Sequence, residues 1–307
     1  MKLFITGAGG MVGRNLLEHP DSADYAILAP ARNELDLLNG QAVAHYLETH
    51  RPDAVIHCAG VVGGIQANIA NPVTFFASNM QMALNVINGA RDADVRQLLN
   101  LGSSCMYPRE AVNPLQEDAL LTGELEPTNE GYALAKIGAA RLCDYIVRED
   151  PAFKYKTIIP CNLYGRYDKF GTHKSHMIPA VIAKIHAAVQ ANANVVDIWG
   201  NGEARREFMY AGDLADFIFT ALGRFEQMPA LLNVGLGHDH SINDYYRTVA
   251  EVLGFHGTFE HDLTKPVGMR QKLVSTERLD QFGWTAGTSI TDGIRATYQF
   301  YLDNRDD

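Results

Sequence analysis

A serine, a cysteine, a tyrosine and a lysine are spaced in a way that suits chemistry at a carbonyl group. Ser103 and Cys105 follow a short apolar run, and Tyr132 and Lys136 lie four residues apart, which places them on one face of a helix. An ammonium group beside a phenol favours the phenolate, so we expect Lys136 to lower the pKa of Tyr132 towards neutrality. Ser103 can hold a carbonyl oxygen beside that phenol. These residues predict carbonyl redox chemistry and leave the thiol unexplained.

A buried strand is expected to position Ser103 and Cys105. The run Gln97–Leu101 is mostly apolar and is closed by a glycine, which is typical of such a strand. Similar strands are predicted at residues 3–6, 25–29, 53–60 and 157–161, and helices at 12–18 and about 73–91. This alternation up to about residue 165 predicts an α/β fold, a doubly wound parallel sheet of the Rossmann type, with ligands at the carboxyl ends of its strands.

A glycine-rich loop follows the first predicted strand. Gly7, Gly10 and Gly13 allow a tight turn and a close approach of the backbone to a pyrophosphate. The helix that follows, predicted at residues 12–18, supplies amide donors and the positive end of its dipole, and Met11 and Val12 are counted with this cofactor site. Glycine-rich turns also occur in loops without a function, but the position between a strand and a helix favours a dinucleotide site.

The end of the second predicted strand bears on the choice of cofactor. An acidic residue there would bind the ribose 2′-hydroxyl of NAD, whereas this chain has Pro30, Ala31 and Arg32. An arginine suits the 2′-phosphate of NADP. The alternative is that Arg32 is a solvated loop cation. The sequence therefore favours NADPH.

The second half of the chain has a different pattern. Strands are predicted at 195–199 and 231–235, and helices at about 177–190, 212–224 and 242–253. These elements are too few for a second nucleotide-binding fold. We expect residues 1–165 to form a dinucleotide-binding domain, rejoined by parts of about 205–235. Residues 166–204 and 236–307 are then a smaller substrate-binding lobe, and the cleft between the two holds the substrate.

Composition argues against several classes of protein. The net charge of −10 argues against a general nucleic-acid surface, so an anionic substrate must be held by locally placed cations. No segment approaches the roughly 18 apolar residues of a membrane span, and no targeting segment is recognised. The four cysteines are widely spaced and lack metal-ligand spacing. We therefore expect a reduced, cytoplasmic protein without disulfides, metal or membrane contact.

Several motifs resemble those of the extended short-chain dehydrogenase/reductase family, and in particular its nucleotide-sugar epimerase-reductases. The resemblance runs nearly end to end and includes residues beyond the glycine loop and the Ser103, Tyr132 and Lys136 set. The matching segments are Gly102–Pro108, Leu125–Glu130, Asn162–Gly165, Ser175–Ala180 and Arg206–Phe208.

The resemblance implies a role for each residue that it covers. Ser103, Tyr132 and Lys136 correspond to the reductase triad, the last two also contacting the nicotinamide cofactor. Cys105 and His176 correspond to an acid/base pair for epimerisation. The implied substrate contacts are Lys184, Arg206 and Lys272. We add Ser104, Asn162 and Trp199 as further candidates for the substrate site. Trp199 is equally well explained as a core residue, and Arg206 as part of a surface charge cluster. A homodimer is also implied.

The function that this resemblance implies is NADPH-dependent epimerisation and reduction of a GDP-linked 4-keto-6-deoxy sugar. A 4-ketone acidifies the hydrogens on C3 and C5, and a thiol and an imidazole suit their exchange. The chain departs from the family's pattern in two places: Ala8-Gly9 replaces basic character in the glycine loop, and Lys184 replaces a familiar arginine.

Four alternatives remain open from the sequence. The same motifs suit an epimerase-reductase of a 3,6-dideoxy sugar that acts at C5 alone, or a GDP-heptose reductase. A 4,6-dehydratase is less favoured because such enzymes place acids where this chain has Ser104 and Cys105. A non-catalytic NADP-binding sensor is opposed by the complete set of Ser103, Tyr132 and Lys136.

Overall fold

The computed structural model describes residues 1–171, 175–265 and 269–304. Its strands are β1 (Lys2–Thr6), β2 (Ala26–Leu28), β3 (Ala54–His57), β4 (Gln97–Leu101), β5 (Lys154–Pro160), β6 (Asn162–Tyr164), β7 (Val195–Trp199), β8 (Arg205–Arg206), β9 (Phe208–Tyr210), β10 (Leu231–Val234), β11 (His240–Ser241), β12 (Thr258–Asp262) and β13 (Gln271–Lys272). Its α-helices are α1 (Met11–Glu18), α2 (Gly40–His50), α3 (Ile65–Ala70), α4 (Pro72–Asp92), α5 (Glu130–Glu149), α6 (Met177–Gln190), α7 (Ala211–Gly223), α8 (Ile242–Leu253), α9 (Glu277–Phe282) and α10 (Ile290–Asp303).

A six-stranded parallel sheet in the order β10-β5-β4-β3-β1-β2 forms the centre of the fold. The predicted doubly wound parallel sheet is therefore confirmed. β2 lies on one side of β1 and β3 on the other, so the chain reverses direction across the sheet at β1. Such a reversal leaves a crevice outside the carboxyl ends of the two strands, where ligands bind in sheets of this kind.

Alternation along β1 explains why helices cover both faces of the sheet. Leu3 and Ile5 belong to a buried cluster with side chains of α1 and α7. Phe4, between them, belongs to a second cluster with side chains of α2, α4 and α5. All three are completely buried, as expected for a strand with both faces covered. The carboxyl edge of the sheet is thus held on a rigid layered core.

A third buried cluster lies outside the sheet and draws on α6, α8 and α10 together with the paired strands β7 and β12. Two further small sheets complete the fold. One contains β8 with β11 and β13, and the other pairs β6 with β9. The six-stranded sheet takes five strands from residues 2–160 and its sixth from 231–234. Among the helices of the described ranges, none is both long enough and apolar enough to cross a bilayer.

Candidate active site

One cleft of about 1740 Å³ follows the carboxyl edge of the sheet and continues to α6, β8 and β13. Every cofactor, catalytic and substrate residue that the sequence suggested lines this cleft. They come from segments separated by more than two hundred residues, from Gly7 to Lys272. The structure therefore brings the whole set around one volume.

The glycine loop forms a tight cradle between β1 and α1. Gly7 has a positive φ of 70°, and a Cβ there would lie 2.7 Å from the backbone of Ala59 after β3. A Cβ on Gly13 would lie 2.4 Å from the carbonyl oxygen of Gly7, and Gly10 donates to that oxygen at 2.9 Å. Only glycine fits this approach. The cradle and the N-terminus of α1 fit a dinucleotide pyrophosphate.

Arg32 lies in the loop after β2, at the edge of the same cleft. Its side chain is exposed to solvent. The nearby Glu34 carboxylate accepts a hydrogen bond from the backbone N–H of Ala31 at 2.6 Å. The loop thus presents a cation to the cleft, as a 2′-phosphate requires.

The pKa of Tyr132 differs from the sequence expectation. Burial raises the pKa of its phenol, the charge of Cys105 adds to this, and a hydrogen bond with Ser103 opposes it. The Lys136 ammonium donates to the carbonyl oxygen of Leu101 at 2.7 Å, and its nitrogen lies 5.9 Å from the centre of the Tyr132 ring. Burial lowers the pKa of Lys136 to about 8. The expectation that Lys136 lowers the Tyr132 pKa towards neutrality is wrong here, because burial of the phenol raises its pKa instead.

Cys105 lies in a short 3₁₀ helix, Ser104–Met106, directly after β4. Its Sγ accepts from the Asn129 amide at 3.1 Å and from the Lys272 ammonium at 3.4 Å. Asn129 lies in the matching segment Leu125–Glu130, where no role was predicted for it, and Lys272 was predicted only as a substrate contact. No local signal could reveal either contact, because the partners are 24 and 167 residues away from the thiol.

His176 is the residue that precedes α6. Its Nδ1 lies 3.4 Å from Oδ1 of Asp168, whose side chain is only 5 % exposed. The hydrogen bond to Asp168 raises the pKa of His176, and burial opposes this. The second carboxylate oxygen of Asp168 is buried without a partner among the described residues. Sequence reasoning missed Asp168, which resembles any other acid in a loop.

Arg206 and Arg205 face different partners. Arg205 forms an ion pair with Asp239 at 2.6 Å. Arg206 lines the cleft, donates to the carbonyl oxygen of Arg205 at 2.8 Å, and has its pKa lowered by burial. In the parallel pairing of β8 with β13, Arg206 lies opposite Lys272. Two cations from neighbouring strands therefore face one region of the cleft.

The other suggested substrate residues have their own partners. Lys184 forms an ion pair with Asp197 at 2.9 Å, and the Asn162 amide donates to the carbonyl oxygen of Glu207 at 2.9 Å. Ser104 is buried in the cleft wall. Trp199 is 47 % exposed, with the Lys265 nitrogen 5.5 Å from its ring centre. The core explanation of Trp199 is therefore wrong.

Comparison with known proteins places this geometry in a family. Residues 3–235 match the NAD dependent epimerase/dehydratase family. The chain is 56% identical over 305 residues to the GDP-L-colitose synthase of Yersinia pseudotuberculosis, covering 99% of each protein. It is 50% identical over 301 residues to the GDP-L-fucose synthase of Azorhizobium caulinodans, covering 98% of this chain and 96% of that protein.

Solved structures agree with the sequence relatives. The GDP-mannoheptose C4 reductase of Campylobacter jejuni, determined with NADP bound, superimposes with a TM-score of 0.88 at 28% identity and 98% coverage of both chains. The chain belongs to the NAD dependent epimerase/dehydratase family, within the extended short-chain dehydrogenases/reductases.

Proposed function

We propose that this protein is an NADPH-dependent epimerase-reductase that converts GDP-4-keto-6-deoxy-D-mannose to GDP-L-fucose. The reaction inverts C3 and C5 and reduces C4. The observation that carries the proposal is that the predicted reductase residues and the predicted acid/base pair lie in one cleft. Ser103 and Tyr132 line the same cleft as Cys105 and His176.

Epimerisation depends on the acidity that the C4 ketone gives to its neighbouring carbons. Removal of a proton from C3 or C5 leaves an enolate whose charge lies on the C4 oxygen. Ser103 and Tyr132 donate to that oxygen. Cys105 and His176 exchange the proton, one group acting as base and the other as acid.

Reduction uses the same ketone. Bound NADPH supplies the hydride. Tyr132 gives its proton to the C4 oxygen, and its raised pKa keeps the phenol protonated until that moment. Lys136 has donors beyond the one bonded to Leu101, and these bind the ribose of the cofactor.

The choice of NADP is supported by the loop after β2 and by relatives. The cradle of Gly7, Gly10 and Gly13 with Met11 and Val12 takes the pyrophosphate, and the exposed Arg32 takes the 2′-phosphate. The heptose reductase solved with NADP bound supports the same choice.

The GDP portion is held by the part of the cleft that β8 and β13 line, which we call the distal cleft. Arg206 and Lys272, opposite each other on β8 and β13, balance the diphosphate. The exposed ring of Trp199 offers a surface on which guanine stacks. Lys184 remains a candidate contact, and its ion pair with Asp197 must rearrange for it to act.

A second candidate is a C5-only epimerase-reductase acting on a 3,6-dideoxy sugar. The 56% identity to a GDP-L-colitose synthase supports it. The groups named above serve that substrate equally, because C5 exchange and C4 reduction need the same oxyanion donors, base and acid.

Turnover in deuterated water tests the proposal. Purified protein with GDP-4-keto-6-deoxy-D-mannose and NADPH should give GDP-L-fucose with deuterium at both C3 and C5, read by NMR. Reduction without deuterium at either carbon would contradict the epimerase half. Deuterium at C5 alone, with faster turnover of the 3-deoxy ketone, would favour the second candidate.

Cys105→Ser separates the two steps in the same assay. Loss of the thiol should slow exchange about 10²–10⁴-fold, the usual contribution of an acid or base. Reduction of a ketone that is already epimerised should remain, because Ser103, Tyr132 and Lys136 are intact. Equal loss of both steps would mean that Cys105 has a structural role.

A homodimer is part of the proposal. Helices α4 and α5 pack against each other and expose several large apolar side chains. These are Val73 at 76%, Phe76 at 41%, Leu84 at 37%, Leu134 at 39% and Tyr145 at 53%. An apolar face of this kind is typical of an interface between subunits.

A further inference from the structure

Glu207 is a buried acid that the steps described above do not use. It follows Arg206 directly, between β8 and β9, and is only 1% exposed. Its Oε1 accepts from the backbone N–H groups of Leu236 at 2.5 Å and Gly237 at 3.0 Å. Its Oε2 accepts from the backbone N–H of Val274 at 2.9 Å. One carboxylate thus satisfies three backbone donors.

These donors come from two distant parts of the fold. Leu236 and Gly237 belong to the loop that leaves β10, the edge strand of the six-stranded sheet. Val274 follows β13, which presents Lys272 opposite Arg206. Glu207 therefore connects the main sheet to both strands that bring cations to the distal cleft.

Burying a carboxylate between these segments carries a large desolvation penalty. Burial raises the pKa of Glu207 to about 7, even though the three backbone donors lower it. Buried charges are a weak source of stability compared with apolar side chains of similar size. Three directed acceptor contacts, however, fix geometry in a way that an apolar side chain does not.

We propose that Glu207 is a positioning residue that sets the placement of Arg206 and Lys272 for the diphosphate of the substrate. The inference rests on the proposed function, because it takes a GDP-sugar as the ligand. Glu207 does not touch the ligand. It acts through the N–H of Val274 on one cation, and through its own backbone on the other.

Glu207→Gln tests this placement with little change in volume. The amide oxygen can still accept from Leu236 and Gly237, but the amide nitrogen then faces the N–H of Val274. Two donors in contact repel, so β13 and Lys272 must shift. We expect the dissociation constant for GDP to rise about tenfold, with KM for the keto sugar rising and kcat changing less. Binding of NADPH should change less than about twofold, because the backbone groups that Glu207 holds, those of Leu236, Gly237 and Val274, lie outside the glycine cradle.

Two further variants complete the experiment. Glu203→Gln, an exposed acid in the same segment, is the matched control and should leave both dissociation constants unchanged. Glu207→Asp keeps the charge but is shorter by one methylene, and should weaken GDP binding by less than Glu207→Gln does. It also serves as the second test if the amide variant does not fold.

The outcomes distinguish a failure of the inference about Glu207 from a failure of the proposed function. GDP binding equal to that of the unsubstituted protein in both Glu207 variants would overturn the inference alone. Equal weakening of GDP and NADPH would make Glu207 a general stability residue and would also overturn it. If the unsubstituted protein binds NADPH but not GDP, the proposed function fails and the inference fails with it.

Discussion

Two histidines show how contacts decide the use of one residue type. His57 is buried on β3 with its Nδ1 2.8 Å from the Thr6 hydroxyl, and burial lowers its pKa to about 3. It is therefore a neutral hydrogen-bonding group. His176 faces the cleft beside Asp168, which raises its pKa. Of these two histidines, only His176 can act as a proton donor near neutrality.

Asp168→Asn should change the pH dependence of epimerisation. The carboxylate holds the proton on His176 to higher pH, so its removal lets the ring lose that proton at lower pH. We expect the alkaline limb of the C3/C5 exchange profile to move towards lower pH. The measurement is solvent deuterium exchange followed by NMR across the pH range.

Glu18→Gln provides the control for that shift. Glu18 forms an ion pair with Arg166 at 2.7 Å and so contacts the same loop without touching His176. Its exchange profile should match that of the unsubstituted protein. An unchanged profile in the Asp168 variant would show that Asp168 does not govern the His176 proton.

Individual residues were predictable where local spacing carried the signal. Ser103, Cys105 and Tyr132 could be selected because a strand end and one helical turn fix their placement. The contacts of Cys105 with Asn129 and Lys272 could not, because they form only when distant segments fold together. The pKa of Tyr132 was mispredicted because the sequence shows a neighbouring lysine and does not show desolvation.

Elements were predictable where periodicity was strong and less so where packing overrides propensity. The helix expected at about 177–190 is α6, Met177–Gln190, and the one expected at 73–91 is α4, Pro72–Asp92. Helix α10 was not predicted, and it has a glycine at 293 that lowers its helix propensity. A Cβ on Gly293 would lie 2.0 Å from the hydroxyl oxygen of Tyr164, so tertiary packing requires this glycine.

The β1–α1 cradle gives a prediction at the level of the element. Gly13→Ala places a methyl group within 2.4 Å of the Gly7 carbonyl oxygen and 2.5 Å of the Ala8 Cα. Backbone atoms cannot move aside cheaply, so the free energy of unfolding should fall by about 1–3 kcal/mol. NADPH binding should weaken because the loop widens. Thermal unfolding and fluorescence titration measure the two effects.

Gly9→Ala is the matched substitution for stability. A Cβ at Gly9 has no neighbour within 4 Å among the contacts of the described chain. Its free energy of unfolding should stay within about 0.5 kcal/mol of the unsubstituted protein, as for an ordinary surface change. A free energy of unfolding for Gly13→Ala as high as that for Gly9→Ala would show that the crowding at Gly13 is relieved by local movement.

Charge is distributed unevenly over the whole molecule. The chain has a net charge of −10, yet Arg206 and Lys272 line the distal cleft. The sequence predicted that local cations would be needed, and it named both. It did not predict that Lys272 also contacts the Cys105 thiol. One ammonium group therefore lies between the proposed diphosphate and acid/base regions.

Phe76→Glu should disrupt the proposed homodimer. The side chain is 41% exposed on α4, within the apolar face shared with α5, and a buried unpaired carboxylate at an interface is strongly unfavourable. Sedimentation analysis should give a dimer mass for the unsubstituted protein and a monomer mass for the variant. Val112→Glu, at a valine that is 86% exposed elsewhere, should remain dimeric. A monomeric unsubstituted protein would contradict the proposal.

The placement of Ser103 and Cys105 two residues apart at the end of β4 has a consequence for stereochemical fidelity. Both proposed reactions use the same C4 oxygen, since Ser103 at the end of β4 and Tyr132 on α5 are its donors in each. Hydride delivered before inversion would therefore trap a sugar with the wrong configuration. Stereochemical fidelity then depends on the rate of proton exchange relative to the rate of hydride transfer. The purity of the product therefore depends on the lifetime of the ketone in the cleft.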